Sequence, residues 1–390
     1  MNSSKPLPVI LCLLAGFVGS FLVGCGGSSN VSLSHSAPTV PVALTIQPGQ
    51  MTIDSAGTPP LAVATTGPIV FGSTSLAGEF ALLVGAHQFR PGTGRSETTV
   101  IGANRDVAIL HVAGESQIWP YRTLDAPFKS GDGRLAAVAQ DSNLFLEEVA
   151  NRSGKVVGLN LLSFSGNSAV HHPYFLGDIV AGRHLRGVGL DGRGNALVEI
   201  TSAATSREVR RVHSGTFDRR LKALSAYMKG LSTGRSDSNW YLAPRFGKPI
   251  PLQCPPHALG ILVSAIRTPG TAVGAVIIGK GSDVRSIPCW WDLRGQIHEL
   301  PLPNDVNFGL ATDSSADGAV VGMVGNEITS YAALWPNVRS EAKNVNGMLP
   351  TDADFELRCI DSIGSDYTMV ALAQPKLNSD QSVMVGLSPR

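Results

Sequence analysis

Four carboxylates, Asp132, Asp191, Glu199 and Asp237, are the residues most able to do acid–base work. Two acids held at a set separation would serve glycoside hydrolysis; whether any two of these converge depends on the fold. Gly187-Val188-Gly189-Leu190-Asp191-Gly192 has the glycine spacing of a pyrophosphate cradle. That chemistry needs a helix to follow, so that its N-terminus meets the phosphates. Arg193 to Ile200 reads instead as a turn and a strand, so a glycine-rich β-turn is expected. Ser340-Glu341-Ala342-Lys343 has the spacing of a serine acylase, without the Lys-Thr-Gly strand such an enzyme uses. His171 and His172 are neighbours on a strand-like stretch, where successive side chains face opposite ways. They are expected at the surface or in a turn rather than sharing a metal. Asp313-Ser314-Ser315-Ala316-Asp317-Gly318 lacks the ligand alternation and the closing Glu of a calcium loop, and Asp-Gly is a common turn pair. No catalytic, cofactor-binding or metal residue is assigned, and no cofactor is expected.

Composition bounds what must position such residues. The chain has 390 residues, 43% hydrophobic and 16% charged, against a usual charged share of about 25%. It is too apolar and too nearly neutral to be disordered. Lys and Arg total 31 and Asp and Glu 30, so bulk charge gives no reason to expect nucleic acid as a partner. The length suits two ordinary domains or one large all-β domain.

Within that length, glycines recur in similar company. Gly154-Lys155-Val156-Val157-Gly158 precedes His172-Pro173-Tyr174-Phe175. Gly270-Thr271-Ala272-Val273-Gly274 precedes Cys289-Trp290-Trp291, and Gly318-Ala319-Val320-Val321-Gly322 precedes Ala332-Ala333-Leu334-Trp335. Weaker marks fall at Gly57, Asp106, Gly194, Gly230 and Gly364. Each unit reads as a turn, a short strand ending in Gly, a polar turn and a strand ending in an aromatic. A period of roughly 40–50 residues with four short strands per unit fits a propeller blade. The marks predict an all-β propeller of about seven blades, with six or eight open. The recurring Trp119, Tyr174, Trp240, Tyr241, Trp290, Trp291 and Trp335 are expected to pack between blades, with glycan stacking as the other use. Phe217, Leu221, Leu224, Met228 and Leu231 follow helical spacing. They form either a helix decorating the ring or a degenerate blade whose aromatics are Trp240 and Tyr241.

At the N-terminus, Lys5 is the only charge before an apolar run from Val9 to Val23. The run suits a signal-peptide core better than a transmembrane helix of about 20 apolar residues. It ends in Leu22-Val23-Gly24-Cys25, and here the chain resembles a bacterial lipoprotein precursor. The resemblance implies cleavage before Cys25, lipidation of that thiol, and anchoring in the cell envelope. Gly26, where an Asp would signal inner-membrane retention, leans towards the outer membrane or cell surface. Two or three acyl chains would anchor stably where one would not. The domain reading is residues 1–24 as signal peptide, 25–44 as lipidated Cys and flexible tether, and 45–390 as the repeat body.

The units also resemble the extracellular HAF-type repeats of bacterial secreted proteins. Ser314 to Val345 matches best, closing on Asn344-Val345-Asn346-Gly347-Met348-Leu349-Pro350. The usual Asn after the leading Ile is replaced by Arg267 and Asp361, and the His-Ala-Phe triplet is absent. The resemblance implies a propeller-like extracytoplasmic domain and carries over no catalytic residue.

Cys254, Cys289 and Cys359 remain in the body, where an oxidising compartment allows a disulfide. The favoured pair is Cys254–Cys289, a staple between neighbouring repeats; the alternative is three small buried apolar residues. The functional expectation is a lipid-anchored binding or scaffold module with a protein or glycan ligand at the propeller loops. A carbohydrate-active enzyme on the same scaffold and a structural passenger are the other readings.

Overall fold

The computed structural model describes residues 43–52, five strand segments between 61 and 100, and 101–201 and 238–389 apart from short internal stretches. Cys12, Cys25, Gly57, Asp132, the 217–231 segment with Gly230, and Asp237 lie outside the described residues.

Among the described residues, the chain forms seven four-stranded antiparallel sheets. After β1 (Leu44–Thr52), the first blade holds β2 (Leu61–Val63), β3 (Val70–Thr74), β4 (Phe80–Val84) and β5 (His87–Phe89). The second holds β6 (Thr98–Ala103), β7 (Ala108–Val112), β8 (Glu115–Trp119) and β9 (Phe128–Lys129). The third is β10 (Arg134–Val138), β11 (Phe145–Ala150), β12 (Val156–Ser165) and β13 (Ser168–Pro173). The fourth is β14 (His184–Leu190), β15 (Ala196–Thr201), β16 (Asn239–Ala243) and β17 (Ile250–Pro251). The fifth is β18 (Gly260–Arg267), β19 (Thr271–Ile278), β20 (Arg285–Trp291) and β21 (Ile297–Glu299). The sixth is β22 (Phe308–Ser314), β23 (Val320–Gly325), β24 (Ser330–Trp335) and β25 (Lys343–Asn344). The seventh joins both ends of the fold: β26 (Phe355–Ile363), β27 (Met369–Pro375) and β28 (Val383–Pro389) take β1 as their fourth strand. The first strand of each blade touches the first strand of the next, and β2 meets β26, so the ring closes as a seven-bladed β-propeller. Ring closure leaves only short strand edges exposed.

The core lies between blades rather than within them. One apolar cluster joins Ile109 and Ile118 of the second blade to Leu135, Phe145 and Leu162 of the third. Others join the third to the fourth, the fourth to the fifth, the fifth to the sixth and the sixth to the seventh. The recurring tryptophans serve these joints. Trp119, Trp291 and Trp335 end third strands and pair with Ala108, Ala272 and Val320, at the start of the second strands. All three are buried. Trp291 Nε1 donates to Gln253 O at 2.9 Å and Trp335 Nε1 to Pro301 O at 2.8 Å. Each acceptor lies on the chain leaving the outer strand of the preceding blade. Tyr174 and Trp240 are buried too, while Tyr241 and Trp290 are half-buried.

The motif beginning and ending in Gly has two separate causes. In Asp191–Asn195, Asp292–Gln296, Asn151–Lys155 and Ser315–Ala319 the first residue's N–H donates to the fifth residue's carbonyl. The fourth residue's N–H returns to the first residue's carbonyl. The fourth residue is Gly194, Gly295, Gly154 or Gly318, with φ of 84°, 74°, 75° and 93°, a region that β-carbon sterics disfavour for other residues. Tyr367, φ 61°, takes this place in the seventh blade. The second glycine answers a different need. Gly274 and Gly322 face inner strands that bulge between Val263 and Ala265 and between Ala311 and Asp313. A Cβ there would meet the Leu262 or Leu310 carbonyl oxygen at 2.0 or 1.9 Å.

Two placements of the repeat marks are corrected. Gly154 lies between second and third strands, not between first and second, and a Cβ at Gly158 would meet nothing within 4 Å. The same turn chemistry serves at both places, so the glycine does not report which turn it is. The first turn of that blade is the stretch before Phe145, where Ala139 N–H donates to Leu144 O. Nor do Trp240 and Tyr241 belong to a blade of their own. They lie on β16, which pairs with β15, so the marks at Gly194 and Gly230 fall in one blade and residues 202–238 connect its second and third strands. The residue at the level of Trp291 there is Ala243, paired with Ala196.

Candidate functional site

In an antiparallel blade, the turns after the first and third strands open on one face of the ring, here called the upper face. The inner ends of these turns ring the channel mouth. Gln140, Asp141, Leu190, Asp191, Gly192, Arg267 and Ala316 line a shallow depression there, contributed by four successive blades.

The polar side chains at this mouth are bound into the joints between blades. Asn104 Nδ2 donates across to Ala139 O and Ser142 O at 3.1 Å, and Ser142 Oγ donates on to Gly192 O at 3.4 Å. Arg267 Nη2 meets Asp313 Oδ2 at 2.6 Å, and the same oxygen accepts Ile363 N–H of the seventh blade at 3.1 Å. Arg267 Nε also donates to Ser314 O at 3.1 Å. Burial pushes the Asp313 carboxyl up from its usual range, against the pull of Arg267 and its N–H donors. Asp317 accepts from Ser315 Oγ and, at 2.9 Å, from Tyr367 Oη of the seventh blade. Burial, then the Asp317 bond and charge, raise the Tyr367 phenol. The two carboxylates of the stretch examined for calcium therefore serve different partners.

Asp191 is 1% exposed. Its Oδ1 accepts Arg193 N–H at 3.0 Å and Asn195 N–H at 2.7 Å, and Oδ2 accepts Asn195 Nδ2 at 2.7 Å. Burial raises its carboxyl above the ordinary range; the Asn195 and Arg193 donors oppose this and the charge of Asp141 adds to it. Glu199 is also buried, but it sits down the β14–β15 hairpin opposite Arg186, whose Nη2 is 3.5 Å from Oε2. Five residues of strand separate Arg186 from Asp191, about 15 Å at the usual rise, so Asp191 and Glu199 do not converge. The acid that does face Asp191 is Asp141, which was not among the sequence candidates. It sits in a turn lacking the glycine signal.

The other motifs resolve by their surroundings. Gly187 and Gly189 flank the bulge of β14 and Gly192 lies in the turn, with strand β15 following. The fingerprint therefore opens no helix. Ser340 donates its N–H to Asn337 O in a turn, and Lys343 pairs with Leu334 at the outer edge of the sixth blade. His171 Nδ1 meets Glu147 Oε2 at 2.9 Å, while His172 is exposed. Among the described residues, no three His, Cys, Asp or Glu side chains gather as a metal site.

The expected Cys254–Cys289 bridge is not present. Both cysteines belong to one cluster between the fourth and fifth blades, but each stands as a thiol. Cys289 Sγ donates to Ile287 O at 3.2 Å and Cys254 Sγ to Pro255 O at 3.8 Å. Each sulfur is committed to a carbonyl near its own position in the chain. Burial pushes the Cys289 thiol up to about 12, with the Val276 backbone lowering it and Glu299 raising it.

Further out on the upper face, Phe246 and Leu293 lie uncovered, 79% and 48% exposed, in turns that follow third strands. Phe175, 78% exposed, lies in the chain leaving the fourth strand of the third blade. The Arg245 guanidinium stands over the Phe246 ring, 5.1 Å from its centroid.

No family model matches the chain, and no curated protein matches it. Solved structures do resemble it. Oligopeptidase B from Leishmania major aligns at TM-score 0.40 and 8% identity, covering 83% of this chain and 47% of that one. The WD40 domain of SCAP from fission yeast aligns at 0.35 and 8%, covering 90% and 97%. The N-terminal domain of Nup159 aligns at 0.35 and 9%, covering 89% and 95%. The propeller assignment itself stands on the strand pairing of this chain.

Proposed function

We propose that this chain is a lipid-anchored extracytoplasmic β-propeller that works as a binding or scaffold module. The observation that carries the binding half is how the channel-mouth acids are used. Asp191 is held by three donors of its own turn, and Asp313 by an arginine and two backbone N–H groups. Acids bound in this way brace the ring; a general acid or base must be free to exchange a proton with a substrate. Propellers present ligands with loops at one end of the channel. The anchoring half is supported by Leu22-Val23-Gly24-Cys25 directly after an apolar run. The resemblance of the units to HAF-type repeats supports an extracytoplasmic setting.

In-cell crosslinking followed by affinity purification tests the reading, with Cys25→Ala as the unanchored control. A defined partner recovered with the wild type and lost with the variant is expected. Palmitate should label the wild type and not Cys25→Ala; equal labelling of both would sink the anchor. The neighbouring Asp141 and Asp191 favour a second reading, a carbohydrate-active enzyme. Hydrolysis of a glycan panel by the wild type, abolished in Asp141→Asn, would put that reading first.

A further inference from the structure

We propose that the upper face of the fourth and fifth blades, with the adjoining chain that leaves the third, is a docking surface for an acidic polypeptide segment of a protein partner. The inference deepens the binding-module reading and rests on it. Three contacts make the patch continuous. Tyr174 Oη donates to Gly194 O at 2.7 Å, which ties the stretch that carries the exposed Phe175 to the first turn of the fourth blade. A Cβ at Gly194 would lie 3.4 Å from Arg245 Cδ, so that turn abuts the Arg245–Phe246 pair. A Cβ at Gly270 would lie 2.5 Å from Leu293 Cδ2 and 3.4 Å from Asn195 Nδ2, which carries the surface on to the fifth blade.

Charge complementarity identifies the occupant. Arg193, Lys248 and Arg294 are exposed in these same turns, and Arg245 is half-buried with its Nε lacking a hydrogen-bond partner. Of the acids in these turns, Asp191 is buried, and Asp292 accepts Arg294 N–H at 2.8 Å and Gln296 N–H at 2.9 Å. Asp141 lies on the channel side, in the depression. Four cations therefore share these turns with Phe246 and Leu293, on a chain whose overall charge is near zero. Exposed aromatics beside arginines are the usual anchors of protein interfaces. The cations select carboxylates, while Phe175, Phe246 and Leu293 take aliphatic side chains. An acidic polypeptide carries both groups.

The test uses the full-length protein in detergent and a short fluorescent peptide of Glu interspersed with Leu. Binding is read by anisotropy against the Gln–Leu counterpart and against hyaluronate, a carboxylated polysaccharide. The Glu–Leu peptide should bind, weaken with added salt, and lose at least about tenfold in Arg193→Gln/Arg245→Gln and in Phe246→Ala, as expected for interface anchors. Arg152→Gln/Lys155→Gln, in a turn on the opposite face, should bind like wild type. Unchanged thermal midpoints exclude misfolding of the variants. No binding of the peptide, binding indifferent to the patch variants, or capture of hyaluronate alone would each overturn the proposal. A crosslinked partner that survives the patch variants would overturn it while leaving the binding-module reading in place.

Discussion

Arg267 on the inner strand of the fifth blade and Asp313 on the inner strand of the sixth form a 2.6 Å ion pair at the channel mouth. Their side chains are 17% and 2% exposed. Asp313 also takes an N–H from the seventh blade, so one carboxylate ties three blades. Removing Arg267 strands a buried charge, and Arg267→Met is expected to cost about 3–5 kcal/mol. The double variant Arg267→Met/Asp313→Leu should cost clearly less. Denaturant unfolding of the two variants checks this; equal losses would show that the pair is not the unit.

Trp291 and Trp335 make the same bond in successive joints. Trp335→Phe keeps most of the apolar volume but leaves Pro301 O without the indole donor. The expected loss is about 1–3 kcal/mol in the same unfolding experiment. A neutral result would mean that packing alone holds the joint.

The two glycine roles separate by substitution. Gly154→Ala meets only the cost of its positive φ, about 1–2 kcal/mol, since a Cβ there touches nothing within 4 Å. Gly322→Ala places a Cβ 1.9 Å from Leu310 O, and the chain should fold poorly or lose several times as much, in line with severe overpacking. Thermal midpoints of the two single variants decide; similar shifts would refute the distinction.

Asp191 and Asp292 start turns of the same hydrogen-bonding pattern, yet should carry opposite pH signatures. Burial raises Asp191, so the folded state holds its proton more tightly than the unfolded state does. Its contribution is most favourable at low pH and declines as pH rises above the ordinary carboxylate value. Burial also acts to raise Asp292, but the Gln296 and Arg294 N–H groups and His298 together outweigh it and hold its carboxyl low. Its contribution is present above the ordinary value and is lost as pH falls through the lowered one. Relative to wild type, Asp292→Ala should lose stability near neutrality and approach wild type in acid. Asp191→Asn should compare best with wild type near neutrality and worst in acid. Unfolding curves across acid to neutral pH would expose a common sign.

With no bridge between Cys254 and Cys289, a reducing agent should leave the thermal midpoint unchanged. Cys289, buried and with its thiol pushed up to about 12, should resist a thiol reagent until the protein unfolds. A large drop on reduction would restore the bridge.

The all-β propeller of about seven blades was legible because tryptophans recur where one blade meets the next and close-approach glycines recur where a second strand passes the bulge of its own inner strand. Blade boundaries were less so. The turn that uses Gly194 after a first strand uses Gly154 after a second and Gly295 after a third, and local sequence does not number strands. Arg267 stood out only as a departure from the Ile-Asn pattern; its reason lies on the next blade, at Asp313. Asp141 carried no signal, because its importance comes from facing Asp191 some 50 residues away in sequence. The Phe246 surface escaped for a related cause: isolated exposed aromatics are ordinary, and only the contacts through Gly194 and Gly270 join them.

The pairing of Leu44 with Pro389 also sets an order of events during biosynthesis. The earliest strand made must wait for the latest before its edge is covered. Until then, the six central blades can stack locally while the seventh stays open. The ring therefore cannot close before Val383–Pro389 has been made. A premature stop before Val383 should yield an incomplete circle with unsatisfied strand edges, a natural substrate for proteases.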